Sequence, residues 1–129
     1  MKITALAFAM ALALGCVCHA ETTEEMVSSC RAIGAAQVSG EHVSLPQDFN
    51  SGVCWGAFGM IQKMIYTLDP NTMKPFFYSC PPTGTAGATR TQLIQIFLTY
   101  AQARPEKYQE DYFDVALTAI SKAFPCSNR

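Results

Sequence analysis

Residues 80–126 read CPPTGTAGATRTQLIQIFLTYAQARPEKYQEDYFDVALTAISKAFPC. Two segments of this stretch have apolar residues at the spacing of an amphipathic helix. Pro105 separates them, because the residue before a proline is pushed out of helical geometry. If the two helices fold back on each other, the start of the first lies beside the end of the second. This geometry predicts a helical hairpin whose open end is closed by a disulfide between Cys80 and Cys126.

The first helix of the hairpin has a recognisable start. Thr89-x-x-Gln92 has the spacing of a capping box, in which each side chain accepts a hydrogen bond from the backbone N–H of the other residue. The second helix is expected from about Asp111 to Ala123. The apolar face expected for the first helix contains Leu93, Ile96, Phe97 and Tyr100.

A further helix is expected near the N-terminus. Thr22-x-x-Glu25 is another capping box, and the helix that it starts should end near residues 38–40. With one more helix between residues 50 and 69, the sequence predicts an all-α fold, a compact antiparallel bundle of about four helices stapled by two disulfides.

The helix between residues 50 and 69 has two notable features. Asn50 or Ser51 is expected to cap it, and Asp69-Pro70 to stop it. Glycines within a helix cost up to about 1 kcal/mol each relative to alanine. We expect close approach of a neighbouring helix to offset this cost, with the same chain favoured over a partner subunit. The buried stripe should contain Cys54, Ala57, Phe58, Ile61, Ile65 and Leu68, and the glycines are Gly52, Gly56 and Gly59.

The N-terminus has the pattern of a secretory signal. Lys2 precedes an apolar run over residues 3–17, which is too short for a comfortable membrane span, and Ala20 closes an acceptable cleavage site. We therefore interpret residues 1–20 as a signal peptide and residues 21–129 as a single domain. The alternative is a lipoprotein signal with Cys16 as the lipidated residue, which would attach the protein to a membrane.

Four cysteines remain after residue 20. An even number in a small exported protein predicts two disulfides, which typically contribute about 2–4 kcal/mol each. Four cysteines permit three pairings. The hairpin geometry favours Cys80 with Cys126, and with it Cys30 with Cys54.

Charge excludes some functions. The chain has a formal net charge of −1, and Lys2 is the only charged residue before Glu21, so the remainder has about −2. No clustered basic surface is expected, so neither nucleic acid nor anionic lipid is an expected partner.

Residues for catalysis are sparse. His42, the only histidine after residue 20, lies in an expected loop beside Glu41. A zinc site needs more ligands than one histidine when the cysteines are oxidised. Asp111 and Asp114 lie one helical turn apart, and a solvated helix start is favoured over a paired-carboxylate site. We expect no enzymatic activity, no cofactor and no metal.

Binding to another protein is the remaining type of function. The consecutive rings of Phe76, Phe77 and Tyr78 are expected to cover the core, with partner binding as the alternative, since aromatics are enriched at interface hot spots. The loops over residues 39–50 and 83–88 are the first contact surfaces expected from exposure and composition, ahead of this aromatic segment. The candidate partner-binding residues are His42, Phe76, Phe77, Tyr78, Thr83 and Thr85.

The order of several motifs resembles the Rap/Tai family of type VI secretion immunity proteins. They are the Gly52–Gly59 segment, Cys80-Pro81-Pro82-Thr83-Gly84, Arg104-Pro105-Glu106 and Ala123-Phe124-Pro125-Cys126. The resemblance covers about residues 30–126. Residues 39–50 and 85–88 look longer than the corresponding connections in the family.

The resemblance implies a periplasmic, all-helical protein that binds a secreted toxin and sterically blocks its active site. The toxin is often a peptidoglycan amidase, and members are commonly homodimeric. Two other interpretations stay open, a small periplasmic helical chaperone and an envelope-associated structural module.

Overall fold

The computed structural model describes residues 21–38, 45–84 and 87–126. The predicted signal peptide, Cys16, His42 and Thr85 lie outside these ranges. The described residues form four α-helices and a short 3₁₀ turn over Pro105–Lys107, with isolated β-bridges in place of strands. The all-α prediction is therefore confirmed. The helices are α1 (Thr23–Val38), α2 (Phe49–Ile65), α3 (Arg90–Gln102) and α4 (Tyr112–Ala123).

Both predicted capping boxes are present. Before α1, the Glu25 amide donates to Thr22 Oγ1 at 3.3 Å and the Thr22 amide donates to Glu25 Oε2 at 2.8 Å. At α3, the Gln92 amide donates to Thr89 Oγ1 at 3.2 Å and the Thr89 amide donates to Gln92 Oε1 at 2.8 Å. Each box satisfies two backbone donors that lack a partner within the helix.

The bounds predicted for α2 are wrong at both ends. The cap is Asp48, whose carboxylate accepts from the Ser51 amide at 2.9 Å and from the Ser51 hydroxyl at 2.8 Å. Ser51 therefore donates to the cap and is not itself the cap, and Asn50 is not the cap either. The helix ends at Ile65, so Leu68 lies beyond it and is 44% exposed.

The core lies where all four helices meet. α1 and α3 each contact the other three helices, which makes them the central pair. The buried face of α3 differs from the predicted one, because Ile94, Leu98 and Ala101 are buried while Ile96 and Tyr100 are only partly covered. The Phe58 and Phe97 rings lie 5.3 Å apart between α2 and α3 and are fully buried.

Asp111 at the start of α4 has a structural role, because it caps the helix. The Asp111 side chain accepts from the Phe113 amide at 2.8 Å, as an N-cap does. The preceding backbone holds α1, because the Thr23 amide donates to the Glu110 carbonyl at 2.8 Å. This confirms the interpretation of these acidic residues as a helix start.

Both favoured disulfides are present. The Cys30–Cys54 bridge joins α1 to α2 within the core, and both cysteines are fully buried. The Cys80–Cys126 bridge closes the α3–α4 hairpin at the surface, with 5.0 Å between its Cα atoms. The Cys80 amide also donates to the Phe124 carbonyl at 2.9 Å.

The three glycines of α2 differ from the prediction. Only Gly59 meets another element of the chain, since a methyl group there would lie 2.9 Å from Cζ of Arg90 on α3. At Gly52 and Gly56 no atom of the described residues lies within 4 Å of that position. The expected packing of a second intrachain helix is therefore wrong for these two.

Candidate functional site: an exposed aromatic loop

The segment from α2 to Cys80 is folded back on itself. We call residues 67–79 the aromatic loop. The Asp69 amide donates to the Lys74 carbonyl at 2.8 Å, and the Phe76 amide donates to the Thr67 carbonyl at 3.0 Å. These bonds pair the two arms of the loop, so its conformation is defined by its own backbone.

The turn at the tip is organised by Asp69. Its carboxylate accepts from the Asn71 amide at 2.8 Å, and its carbonyl accepts from the Met73 amide at 2.8 Å. Met73 has a φ of 54°, in the left-handed region that side chains other than glycine rarely adopt. The turn thus places a large apolar side chain at a backbone position that disfavours it.

The three consecutive aromatic residues divide between the core and the surface. The Phe77 ring meets the Phe113 ring of α4 edge to face, with 6.3 Å between centroids, and Phe77 is partly buried. The Phe76 ring packs on Phe77 at 5.2 Å but remains 59% exposed. Phe77 is therefore an anchor, and Phe76 is presented to the outside.

Tyr78 is the most exposed ring of the loop, at 83%. Its φ is 52°, and its amide donates to the Pro75 carbonyl at 3.3 Å. The next residue, Ser79, is buried, and the disulfide at Cys80 follows. Left-handed backbone costs a residue with a side chain roughly 1–2 kcal/mol, so the fixed neighbours hold Tyr78 in an unfavourable conformation with its ring outside.

The exposed apolar residues of this loop form an unusual group. Single exposed apolar residues are normal on a protein surface, whereas several on one short segment make that segment a candidate interaction site. The charged residues of the loop, Asp69 and Lys74, have opposite signs, so the loop has little net charge. The exposed residues are Leu68 (44%), Met73 (68%), Phe76 (59%) and Tyr78 (83%).

Sequence reasoning missed two members of this group. The apolar spacing predicts a core position for Leu68, because it continues the stripe of α2 beyond Ile65. No sequence motif includes Met73, and only its position between Thr72 and Lys74 in a polar turn indicates the exposure that the structure shows.

Thr83, another candidate residue, lies on a separate connection. It is exposed beside a cleft of about 390 Å³ near Tyr66. The Tyr66 hydroxyl donates to the Pro82 carbonyl at 3.0 Å and accepts from the Ala88 amide at 2.9 Å. Tyr66 therefore holds both ends of this connection.

Two further findings apply to the described residues. These ranges contain no group of three or more His, Cys, Asp or Glu side chains placed to hold a metal ion. None of their helices is long and apolar enough to cross a membrane.

The fold and this surface define a disulfide-bridged helical protein with an exposed apolar loop. The family model described as Rap1a immunity proteins matches residues 22–126, which is most of the chain. Comparisons with curated proteins and with solved structures gave no match. The chain belongs to the Rap1a immunity protein family, and the resemblance found from its motifs is confirmed.

Proposed function

We propose that this chain is a periplasmic immunity protein that neutralises a toxin delivered by type VI secretion. Residues 1–20 direct export, and residues 21–129 fold as one domain after the leader is removed. Membership of the family supports the immunity role. Two disulfides support an oxidising compartment, because such bridges persist outside the cytosol.

The protein acts by binding rather than by catalysis. The aromatic loop inserts Phe76 and Tyr78 into the substrate cleft of the toxin, which we take to be a peptidoglycan amidase, and excludes its substrate. The observation that carries this proposal is the exposure of both rings on a loop that is anchored by Phe77 and by the disulfide at Cys80.

Anchoring matters for affinity. Ordering a flexible segment on binding costs free energy, and a loop already fixed in its bound conformation avoids that cost. Tyrosine and phenylalanine bury a large apolar area with few rotatable bonds, which is why aromatic side chains dominate many interfaces. The loop carries one charge of each sign, so we expect the contacted cleft to be apolar with neutral polar groups.

The test is rescue from a periplasmic toxin. A type VI peptidoglycan amidase, chosen as the candidate toxin, is expressed with a leader in the presence of wild-type protein, Phe76→Ser or Tyr78→Ser. Wild type should restore growth and the two variants should not. Affinity for the purified toxin should fall at least about tenfold, as hot-spot truncation requires.

A matched control is available on α2. Phe49 is 84% exposed, as much as Tyr78, but lies outside the aromatic loop. Phe49→Ser should rescue growth as wild type does. If wild-type protein neither binds nor protects, the immunity proposal is wrong for this chain. If it protects and both loop variants protect equally, the assignment of the aromatic loop is wrong.

A further inference from the structure

The first residue of α3 is a cation in an unfavourable position. Arg90 lies where the partial positive charge of the helix dipole disfavours a positive side chain. Its guanidinium lies over the indole ring of Trp55 on α2, with 4.3 Å from Cζ to the ring centroid. Both residues are partly buried. We call these two residues the Trp55–Arg90 pair.

The guanidinium of Arg90 has no hydrogen-bond acceptor among the described residues. Its Nε is fully covered and makes no hydrogen bond with them, whereas Nη1 and Nη2 keep access to solvent. The one ion pair within that part of the chain, Lys107 with Glu110, is at the 3₁₀ turn. The ring contact is favourable, but it satisfies none of the five N–H donors of the guanidinium. A partly desolvated cation without a counter-ion is costly.

The position of the guanidinium is defined by α2 and by the connection before α3. Trp55, Gly59 and Gln62 are spaced to lie on one side of α2. The Gln62 side chain donates to the Ala88 carbonyl at 2.8 Å, which holds the connection beside this helix. The guanidinium then fills the space next to Gly59, where a methyl group would lie 2.9 Å from Cζ. The charge is therefore held in place without a partner in the described chain.

The complementary group is a negatively charged acceptor. The Nη atoms are donors only, and two parallel N–H bonds from a guanidinium match the two oxygens of a carboxylate. Stacking on an aromatic ring orients the guanidinium before binding, so less conformational freedom is lost when the bond forms. Arginine and tryptophan are also among the residues most enriched at binding hot spots.

The Trp55–Arg90 pair lies near the aromatic loop. α2 leads from Trp55 to its cap at Tyr66, and the loop begins at the next residue. The eleven positions from Trp55 to Tyr66 correspond to about 16 Å along the helix. A typical protein interface covers about 800 Å² of each partner, which is roughly 30 Å across. A single partner is therefore large enough to contact both the loop and the pair.

We propose that the Trp55–Arg90 pair binds an aspartate or glutamate side chain of the toxin, at the rim of the cleft that the aromatic loop enters. This inference rests on the proposed function and names the chemistry of a second contact with the same partner. The toxin carboxylate accepts hydrogen bonds from Nη1 and Nη2 and neutralises the guanidinium.

A fluorine label tests the location. Trp55 is the only tryptophan of the chain, so fluorotryptophan gives one ¹⁹F resonance, which comes from the pair. The oxidised, labelled protein is titrated with the unlabelled amidase of the rescue test. The resonance should shift as the complex forms. A complex that forms by calorimetry without changing this resonance overturns the proposal. A resonance that moves with the concentration of this chain alone assigns the surface to a second copy and also overturns it.

Charge is tested by Arg90→Gln, which keeps a planar hydrogen-bonding end but removes the positive charge. Its affinity for the amidase should fall at least about tenfold. Arg31→Gln makes the same change in net charge at an exposed position of α1 and should bind as wild type does. Double-mutant cycles, in which each surface carboxylate of the amidase is replaced by its amide, should couple Arg90 to one acid. Equal affinities of the two arginine variants, or no coupling with any acid, overturn the proposal.

Gly59→Ala tests the placement of the guanidinium without changing charge. The added methyl group displaces the guanidinium from Trp55, so affinity for the amidase should fall. Gly52→Ala is the matched control on the same helix, because no atom of the described residues lies within 4 Å of its methyl position. Equal affinities of the two glycine variants contradict the proposal. Thermal unfolding of each variant separates loss of contact from loss of fold.

Failure of this inference is distinguishable from failure of the proposed function. If wild-type protein does not bind the amidase, the immunity role is wrong and this inference fails with it. If wild-type protein binds, and affinity falls in the Phe76 and Tyr78 variants but not in Arg90→Gln, only the role of the Trp55–Arg90 pair is wrong.

Discussion

The rings of Phe77 and Phe113 meet edge to face at 6.3 Å and tie the aromatic loop to α4. Cys80 directly follows this loop, and its disulfide joins it to Cys126, beyond the other end of α4. A ring contact with α4 and a bridge to the segment after α4 therefore fix the residues Phe76 and Tyr78 in place. Stability of the bundle and presentation of the exposed rings depend on the same connections.

Phe77→Leu should lower the free energy of unfolding by about 0.5–1.5 kcal/mol, the value of an aromatic pair beyond its buried area. Leucine keeps most of the apolar surface but loses the edge-to-face geometry. Urea unfolding with intact disulfides measures the change. Phe76→Leu is the control, because its exposed ring contributes little to the core. Equal losses in both variants would contradict the anchoring role of Phe77.

Met73→Gly should stabilise the protein by about 0.5–1 kcal/mol. Left-handed backbone costs methionine roughly 1–2 kcal/mol, and glycine removes this cost. The greater conformational freedom of glycine in the unfolded chain offsets part of the resulting stabilisation. Lys74→Gly is the matched control at the next position, where φ is not positive, and should destabilise. Thermal unfolding of both variants gives the two signs, and the same sign in both would show that Met73 is unstrained.

Local signals in the sequence correctly predicted that four helices and the two bridges exist. A capping box is a contact over three residues, so Thr22 with Glu25 and Thr89 with Gln92 could be recognised from spacing alone. The Cys80–Cys126 pair followed from the hairpin, because a turn at Pro105 leaves the two ends adjacent.

The features that sequence missed depend on tertiary placement. The apolar spacing continues past Ile65 to Leu68, and only the hydrogen-bonded turn of the aromatic loop shows that the helix has ended. Likewise, three consecutive aromatic residues do not reveal which one points inward until Phe113 is placed beside Phe77. The open side of Gly52 and Gly56 required the positions of the neighbouring helices.

The two disulfides should differ in their resistance to reduction under native conditions. Cys30 and Cys54 are fully buried, whereas Cys80 and Cys126 are exposed, and a thiol must reach a sulfur atom to exchange with it. Low concentrations of dithiothreitol followed by alkylation and peptide mapping should therefore label Cys80 and Cys126 first. Simultaneous labelling of all four would show that the core opens as readily as the surface bridge.

Replacing Cys80 and Cys126 together by serine should lower the free energy of unfolding by about 4 kcal/mol, from the chain entropy of a loop with a sequence separation of 46. The helices should remain in the far-ultraviolet spectrum, because Cys30–Cys54 and the core persist. The aromatic loop should lose its anchor at Cys80, so toxin affinity should fall even where the bundle is fully folded. Unchanged affinity in the folded variant would show that the Cys80–Cys126 bridge is not needed to present the aromatic loop.

Acid should weaken the start of α2 through Asp48. The Ser51 amide, and then the Ser51 hydroxyl, donate to its carboxylate and lower the pKa of Asp48 below its usual 3.8. Since the folded pKa is the lower one, the stabilisation is present above about pH 3.8 and is lost as the pH falls through the folded value.

Asp48→Asn keeps an oxygen acceptor at the cap but does not titrate. The free energy of unfolding of wild type minus that of the variant should therefore decrease between about pH 6 and pH 2 in urea titrations. Burial, with a smaller effect of Glu25, raises the pKa of Glu21, but this acts in both proteins and cancels in the difference. A difference that stays constant with pH would show that the charge of Asp48 does not contribute to the cap.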